Sequence, residues 1–434
     1  MEAHVTHNAA IFGDHRPSRK TVAVIGAGAI GVCAASWLLQ DGHEVLLIDP
    51  SGIGSGASSG NAGCLNASSV VPMSLPGAVW KVPGWLVDPL GPLVIRSGYL
   101  PQLAPWLLQF LGAAKLERVR HQSTALTQLL ADSPGMYAPL VANAGAQALL
   151  RHNGHIVAYR SRRDFENDRL GWQLRRDAGI RFEVLSEDEL WQMEPAISRD
   201  YRLGVLLPDN AYTVNPQALV RALGESFLRD GGRFSAGKVS GFKFNNDQVQ
   251  AVITDQGEIP VDAAVIATGA YSKLLAQAAG DRVMLDTERG YHLVIKNPEA
   301  ELRHSVMDAG GKFVATPMET GLRLAGTVEF AGLKAAPDWR RARQLQILGR
   351  RLFPALHAAY PQERLVQWMG FRPSMPDSLP VIGPSRRSRS IVYAFGHGHV
   401  GLASAARTGK LVAELISGRP THIDIAPFSA QRFD

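Results

Sequence analysis

The sequence reads as an α/β chain of the mixed α+β kind. A parallel βαβ unit opens the fold, and strands of an antiparallel or mixed sheet come later. Three stretches carry this reading. The first is "KTVAVIGAGAIGVCAASWLLQDGHEVLLIDP". Its run Val22–Ile25 is short, apolar and β-branched, as a buried parallel strand is. An Ala-rich helix follows, closing near Gly42, and then a second strand over Val45–Ile48. The second stretch, "GEIPVDAAVIATGAYSKLL", has another apolar strand, Ala263–Ile266, ending in a small-residue turn. The third signal is a pair of strand patterns, "YRLGVLLPDNAYTV" and "GLRLAGTVEF", with the helix "NPQALVRALGESFLRDGG" between them, stopped by Gly231 and Gly232. Just before the second stretch, "FSAGKVSGFKFNNDQVQAVITDQGEI" reads as a small meander of strands. No internal repeat or low-complexity linker interrupts the pattern.

Composition narrows the function classes. The 434 residues are 46% hydrophobic and 19% charged, enough chain for two or three domains and a core that encloses a cofactor. The net charge of +6 is scattered, without the Lys/Arg clustering of a nucleic-acid surface. It suits an anionic substrate, an anionic cofactor or an acidic lipid surface. Two cysteines, Cys33 and Cys64, exclude a disulfide framework and a Cys-rich metal site, and they fit a reducing, cytoplasmic setting. The leader "MEAHVTHNAAIFGDHRPSRK" lacks the apolar core of a secretory signal and reads as a loose tail over residues 1–19. No run reaches the roughly 18 apolar residues of a membrane span.

The first βαβ unit has the parts a dinucleotide site needs. Gly26 permits the tight turn after the strand. Gly28 lets a pyrophosphate approach the backbone, and Gly31 lets helix and strand pack closely. The amides around Ile30 at the helix start favour the phosphates. Asp49, ahead of Pro50, ends the second strand and is placed to accept hydrogen bonds from both ribose hydroxyls, which makes the turn a Rossmann-like one. The next segment, "SGIGSGASSGNAGCLNASS", favours FAD over NAD. A loop of Ser55, Ala57, Ser58, Ser59, Asn61, Ala62, Gly63 and Cys64 suits an extended diphosphate and ribityl chain. Ala267, Thr268 and Gly269 bring a second turn to the dinucleotide from the far side, and Val239 offers its backbone to adenine.

Taken in order, Gly26 to Gly31, Asp49, "ASSGNAG", "VIATGAYS", "TERGYH", "GFRPSMPDSLPVIG" and "GHGHVG" resemble the D-amino-acid oxidase/glycine oxidase superfamily of FAD amine dehydrogenases. Within it they resemble the bacterial D-amino-acid dehydrogenase small-subunit branch. The resemblance covers about residues 20–432. It implies a discontinuous fold: a Rossmann-like FAD-binding domain over 20–75, 214–275 and 366–434, and an interleaved substrate domain over 76–213 and 276–365, built on an antiparallel or mixed sheet. It implies non-covalent FAD, for which the absence of cysteine from the C-terminal half also speaks. The implied activity is amino-acid catabolism by oxidative deamination of a D-amino acid, or of a cyclic imino acid such as D-proline or hydroxy-D-proline, through hydride transfer from Cα to flavin N5. The alternatives are oxidation of glycine, sarcosine or another secondary amine, and a flavin-binding interaction subunit. A nicotinamide enzyme is a weaker option. The electron acceptor is a quinone, an electron-transfer protein or oxygen.

The resemblance also places roles. Arg372, near Gly370 in "MGFRPSMPDSLPVIG", falls where the family holds the substrate carboxylate, and a guanidinium clamps a carboxylate bidentately. The family has an Arg-Gly pair near the reactive face of the flavin where this chain has Arg289 and Gly290, followed by Tyr291 and His292. Strand alternation lets only one of Tyr291 and His292 face the site. Glu329 reads as a satisfied strand acid, with pairing to an amine as the alternative. The Trp-rich stretch 79–112 is either substrate-domain core or a patch that docks, on the inner face of the plasma membrane, to lipid or to an electron acceptor.

In "FGHGHVGLASAARTGK" the two histidines have no cysteine nearby and no acid before Glu414, so a metal site is not expected. The helix "LASAARTGKLVAELI" follows. The expectation is a backbone role: Gly396, His397, Gly398, His399, Val400 and Gly401 form the turn at a helix N-terminus that favours the negative charge a flavin gains on reduction. The carbonyl of Gly398 is offered to the substrate amine.

Overall fold

The computed structural model describes residues 18–87 and 91–433, so the tail expected over 1–19 lies almost wholly outside the described residues. Thr21–Ile25 is flanked by Glu44–Ile48 on one side and Ala263–Ile266 on the other, all parallel. Arg233–Ser235 extends the sheet beyond Glu44–Ile48, and Ile391–Phe395 extends it beyond Ala263–Ile266, again in parallel. Val381–Pro384 closes that edge antiparallel. These strands are sandwiched. Helices Ala29–Gln40, Pro216–Arg229 and Gly401–Ile416 cover one face with Val22, Val24, Leu47 and Val265 beneath them. The antiparallel meander Val239–Asn245, Gln248–Thr254 and Gly257–Pro260 covers the other, over Ala23, Ile25 and Ile266. Both faces are buried, which is why these strands are apolar throughout rather than alternating.

A second, mixed sheet runs from Leu365–Ser374 through Asp286–Ile295, Gly321–Phe330, Phe313–Met318, Ser305–Asp308, His155–Tyr159 and Leu203–Leu207 to Glu183–Leu185. Leu93–Ile95 joins the end of Gly321–Phe330 in parallel. Leu365–Ser374 belongs by sequence to the segment that begins at 366 in the flavin half, yet its ten residues pair with Asp286–Ile295 in this second sheet.

The motifs meet because of where strands end. Gly26, Asp49, Ala267 and Gly396 each follow the C-terminal residue of a parallel strand. In an open α/β sheet that edge is where ligands bind. A single bridge between Ser374 and His397 then joins the edge to the mixed sheet.

The 79–112 stretch divides. Trp106 and Phe110 are buried, stacked at 5.3 Å and packed with Ile95, Val328 and Phe330. Trp80 is 85% exposed, and Val79, Val87 and Leu108 are exposed too. Residues 88–90 and the side chains of Trp85 and Leu86 lie outside what the structure describes. Among the described residues no helix is long and apolar enough to cross a membrane.

Candidate active site

The glycine-rich turn is shaped by close approach. Gly26 has φ +105°, and a Cβ there would strike the carbonyl of Ala267. A Cβ on Gly31 would strike the carbonyl of Gly26, so the helix lies directly on the strand end. Gly28 caps the helix Ala29–Gln40 without a side chain, and the Ala29 amide donates to Ser58 Oγ at 2.9 Å. Ile30 packs against the core. The Asp49 carboxylate accepts from the amides of Ala27 (2.9 Å) and Ser51 (2.8 Å), which fixes it beside the turn with lone pairs to spare. Pro50, Ser55 and Ala57 are exposed, and Ser59 closes a local turn onto the carbonyl of Gly56. Thr268 bonds Ser272 at 3.0 Å, Gly269 opens the next turn, and Val239 is buried under the parallel sheet, paired with Thr254.

Residues 60–62 show how the loop is aimed. Their three carbonyls are each held by a side chain of the mixed sheet. His292 Nδ1 donates to Gly60 O at 3.0 Å, Arg323 to Asn61 O at 2.5 Å, and Thr316 Oγ1 to Ala62 O at 2.8 Å. A trans peptide sets N–H opposite C=O. Drawing these carbonyls to the sheet therefore turns the amides that follow them away from it. The Asn61 side chain takes the Gly63 amide at 2.8 Å. The Cys64 thiol is crowded, and burial pushes its pKa up to about 12 against a smaller lowering by Thr316.

Arg372 lies on the same sheet face. Its strand pairs Arg372 with Glu288, Gly370 with Gly290 and Trp368 with His292. The guanidinium rests over Gly290, close enough that a Cβ there would meet it at 2.7 Å. It has no hydrogen bond or ion pair among the described residues. Burial lowers its pKa, and the Glu288 carboxyl partly offsets that. Glu288 is itself buried and accepts from Ser374 Oγ at 2.6 Å; burial raises its pKa, while Ser374 and Arg372 lower it. Asp286 completes this end, taking the Tyr99 hydroxyl at 3.0 Å.

The Ser374–His397 bridge sets the turn 396–401 beside Arg372. His397 is buried, bonds Thr408 at 3.1 Å, and is pushed down to about 3 by burial. His399 is exposed, yet the protein around it and then the Arg372 charge hold its pKa near 4. Gly396 and Gly398 have φ of +84° and +53°, Val400 is buried, and Gly401 begins the helix Gly401–Ile416, whose N-terminus faces this turn. His292 is neutral as well, near 3, through burial first and Arg323 second, and stacks on Trp368 at 5.0 Å.

Arg289 and Tyr291 go the other way. Arg289 is fully buried and donates to the carbonyls of Gly332 (2.8 Å), Ala335 (2.6 Å) and Ala336 (3.2 Å), with Glu329 at 3.7 Å. Tyr291 donates to Glu329 at 2.6 Å and accepts from the Asp338 amide at 2.9 Å. Arg96 closes the cluster, 2.6 Å from Glu329. An arginine at the flavin and a tyrosine on the substrate carboxylate are thus not what this geometry offers. Alternation puts 289 and 291 on the face opposite Gly290 and His292. Sequence reasoning passed over Glu288, Asp286, Trp368, Thr316 and Arg323. The first sits inside the quoted "TERGYH", on the alternation that selects His292, and was legible there. The others depend on which strands pair.

A close-packed glycine turn at a strand end, a carboxylate ending the next strand and a guanidinium with no acceptor among the described residues make a site that suits a dinucleotide and an anionic group. The chain matches the model of the DAO family, FAD dependent oxidoreductase, over residues 21–415, and it belongs to that family. It is 47% identical over 420 residues to a D-amino-acid oxidase of Bradyrhizobium diazoefficiens, covering 96% of this chain and 100% of the relative. It is 29% identical over 418 residues to a D-amino acid dehydrogenase of Rhizobium rhizogenes, covering 95% and 99%. Its fold is shared with glycine oxidase from Geobacillus kaustophilus at TM-score 0.72 and 22% identity, covering 95% and 99% of the two chains. L-proline dehydrogenase from P. horikoshii also shares it, at TM-score 0.72 and 18% identity, covering 96% and 98%. The residues fit FAD: the cradle is too tight for side chains, and the donors available to an anion are backbone amides and arginine.

Proposed function

We propose that this protein oxidises D-amino acids, cyclic imino acids such as D-proline included, to imines that water opens to 2-oxo acids, releasing ammonia from a primary amine and leaving the nitrogen on the carbon chain of a cyclic one. FAD, held non-covalently, supplies the hydride acceptor. Gly26, Gly28, Gly31 and Ser58 would hold its diphosphate, Asp49 a ribose, and the Ala62 amide with the turn 396–401 its ring. The single observation carrying the substrate class is Arg372, a guanidinium over Gly290 without a protein partner among the described residues. It would take the carboxylate bidentately and fix the direction of the Cα–H bond. Gly398 and the neutral His399 would lie beside the amine. Neither His292 nor His399 is a strong base, in keeping with a substrate whose amine arrives neutral. The high pKa of Cys64 disfavours the thiolate that a covalent link would need. Electrons then leave to an acceptor, for which the exposed Trp80 side of 79–112 is the contact we favour, on the cytoplasmic face of the membrane.

The test is anaerobic mixing of the FAD-loaded protein with D- and L-amino acids, glycine, sarcosine, D-proline and cis-4-hydroxy-D-proline. Bleaching of the flavin band by D-amino acids supports the reading. Bleaching by glycine or sarcosine alone moves the protein to the secondary-amine class, and no bleaching by any amine leaves a flavin-binding interaction subunit.

A further inference from the structure

Arg323 stands out among the groups that substrate binding does not use. It is 8% exposed, on the strand Gly321–Phe330. One hydrogen bond is recorded for it, to Asn61 O, its Nε has no partner, and no carboxylate pairs with it among the described residues. Burial lowers its pKa to about 10, so it remains a cation at neutral pH. A buried cation without a counter-charge is costly to keep. A carbonyl latch alone would not need one: Thr316 and His292 hold the neighbouring carbonyls of Ala62 and Gly60 as neutral groups.

Its position says which anion is missing. Arg323 is paired with Val294 and with Thr316, and His292 with Ala325 and Trp368, so Arg323 shares a sheet face with His292, Trp368 and Arg372. Ser58, tied to the glycine turn by the Ala29 amide, and Asn61, held by Arg323, belong to one tight turn that the Asn61 amide closes onto Ser58 O at 3.3 Å, so Arg323 stands where the glycine turn meets this sheet face. The reacting ring has to lie on the Arg372 face for a substrate held there to reach it. A hydride brings that ring two electrons and one proton, leaving one net negative charge where there was none.

We propose that Arg323 is the counter-charge for the reduced flavin and sets its potential. The charge is uncompensated in the empty protein, partly idle with oxidised FAD, and matched once the ring is reduced. This rests on the family's cofactor and on Arg372 as the substrate site, not on which amine is oxidised.

The experiment compares Arg323→Met with wild type. The midpoint potential is measured by equilibrating the FAD-loaded proteins with a reference dye during reduction by dithionite, so a failed amine screen does not affect it. The affinity of the apoprotein for FAD and its melting temperature are read alongside. The reduced form should lose at least tenfold more affinity than the oxidised form, a fall of about 30 mV for a two-electron couple. The apoprotein should melt at the same temperature or higher, because a buried unpaired charge has gone. Equal loss of affinity for both redox forms would assign the charge to the diphosphate and overturn the proposal. A lower apoprotein melting temperature with an unchanged potential would make Arg323 a structural latch and overturn it too. If Arg323→Met does not take up FAD, Arg323→Gln, which keeps a donor for Asn61, carries the test on the same thresholds.

Discussion

Arg372 and Arg289 sit on neighbouring strands one register step apart, since Arg372 pairs with Glu288 and Arg289 with Phe371. They differ in almost everything else. Arg289 is fully buried and bonded to three carbonyls beside Glu329. Arg372 is half-covered, with no protein acceptor among the described residues. The two faces of one sheet have separated an arginine whose donors are taken from one whose donors are not. Both burial and the list of partners each already has separate them.

The comparison breaks most sharply at Arg372. Arg372→Met should lower kcat/KM for D-amino acids by about 10³-fold or more, the loss of a charge-assisted bidentate contact, with the melting temperature unchanged or raised. Steady-state kinetics beside a thermal melt checks both halves. Arg289→Met should do the reverse. It leaves three carbonyls short of a donor and removes one of the two cations beside Glu329, and it should destabilise the fold by about 3 kcal/mol, read from denaturant unfolding, while KM for the folded fraction stays near wild type. If Arg289→Met instead raised KM strongly without loss of stability, the assignment of the two faces would be wrong.

Gly26→Ala sharpens the cradle at the other end of the cleft. Its Cβ meets the Ala267 carbonyl at positive φ, and FAD affinity should fall about tenfold or more, measured as flavin retained on gel filtration.

The smallest expected effect is in pH. His292, His397 and His399 are depressed to about 3, 3 and 4 from 6.5. A depressed folded pKa means that the unfolded chain binds more protons between those values, so stability rises with pH there. The contribution is complete above about 6.5 and is lost as pH falls towards 3 to 4. Melting temperatures from pH 7 to pH 4.5 should fall steadily, and kcat/KM should show no histidine ionisation between pH 5 and 8. A basic limb near 6.5 that Arg372→Met leaves in place would count against neutral rings.

Much of this could be read in the chain because it is local. The turn Gly26 to Gly31, Asp49 and the helix after Gly401 follow from spacing and caps, and the strand ends that carry them converge by the geometry of a parallel sheet. Arg289 and Tyr291 turn to the other face for a reason the local sequence does not carry. Their partners there are Glu329 and the loop 332–338 that folds back over them. Arg323, Thr316 and Trp368 were invisible for the same reason. They reach the flavin loop from strands hundreds of residues away in sequence, and nothing in their own neighbourhood marks them. The 79–112 stretch divided between core and surface because one helix face buries Trp106 and Phe110 while Leu108 points outward.

The central claim, that an unpartnered guanidinium in a flavin cleft holds the carboxylate of a D-amino acid, is tested most directly by one comparison. Flavin bleaching by a D-amino acid is followed anaerobically in wild type and in Arg372→Met, both fully loaded with FAD. Rapid bleaching of the wild type by the D-enantiomer and not the L-enantiomer, with the variant slowed by about 10³-fold at the same substrate concentration, is the predicted result. Equal bleaching rates in the two proteins would contradict it.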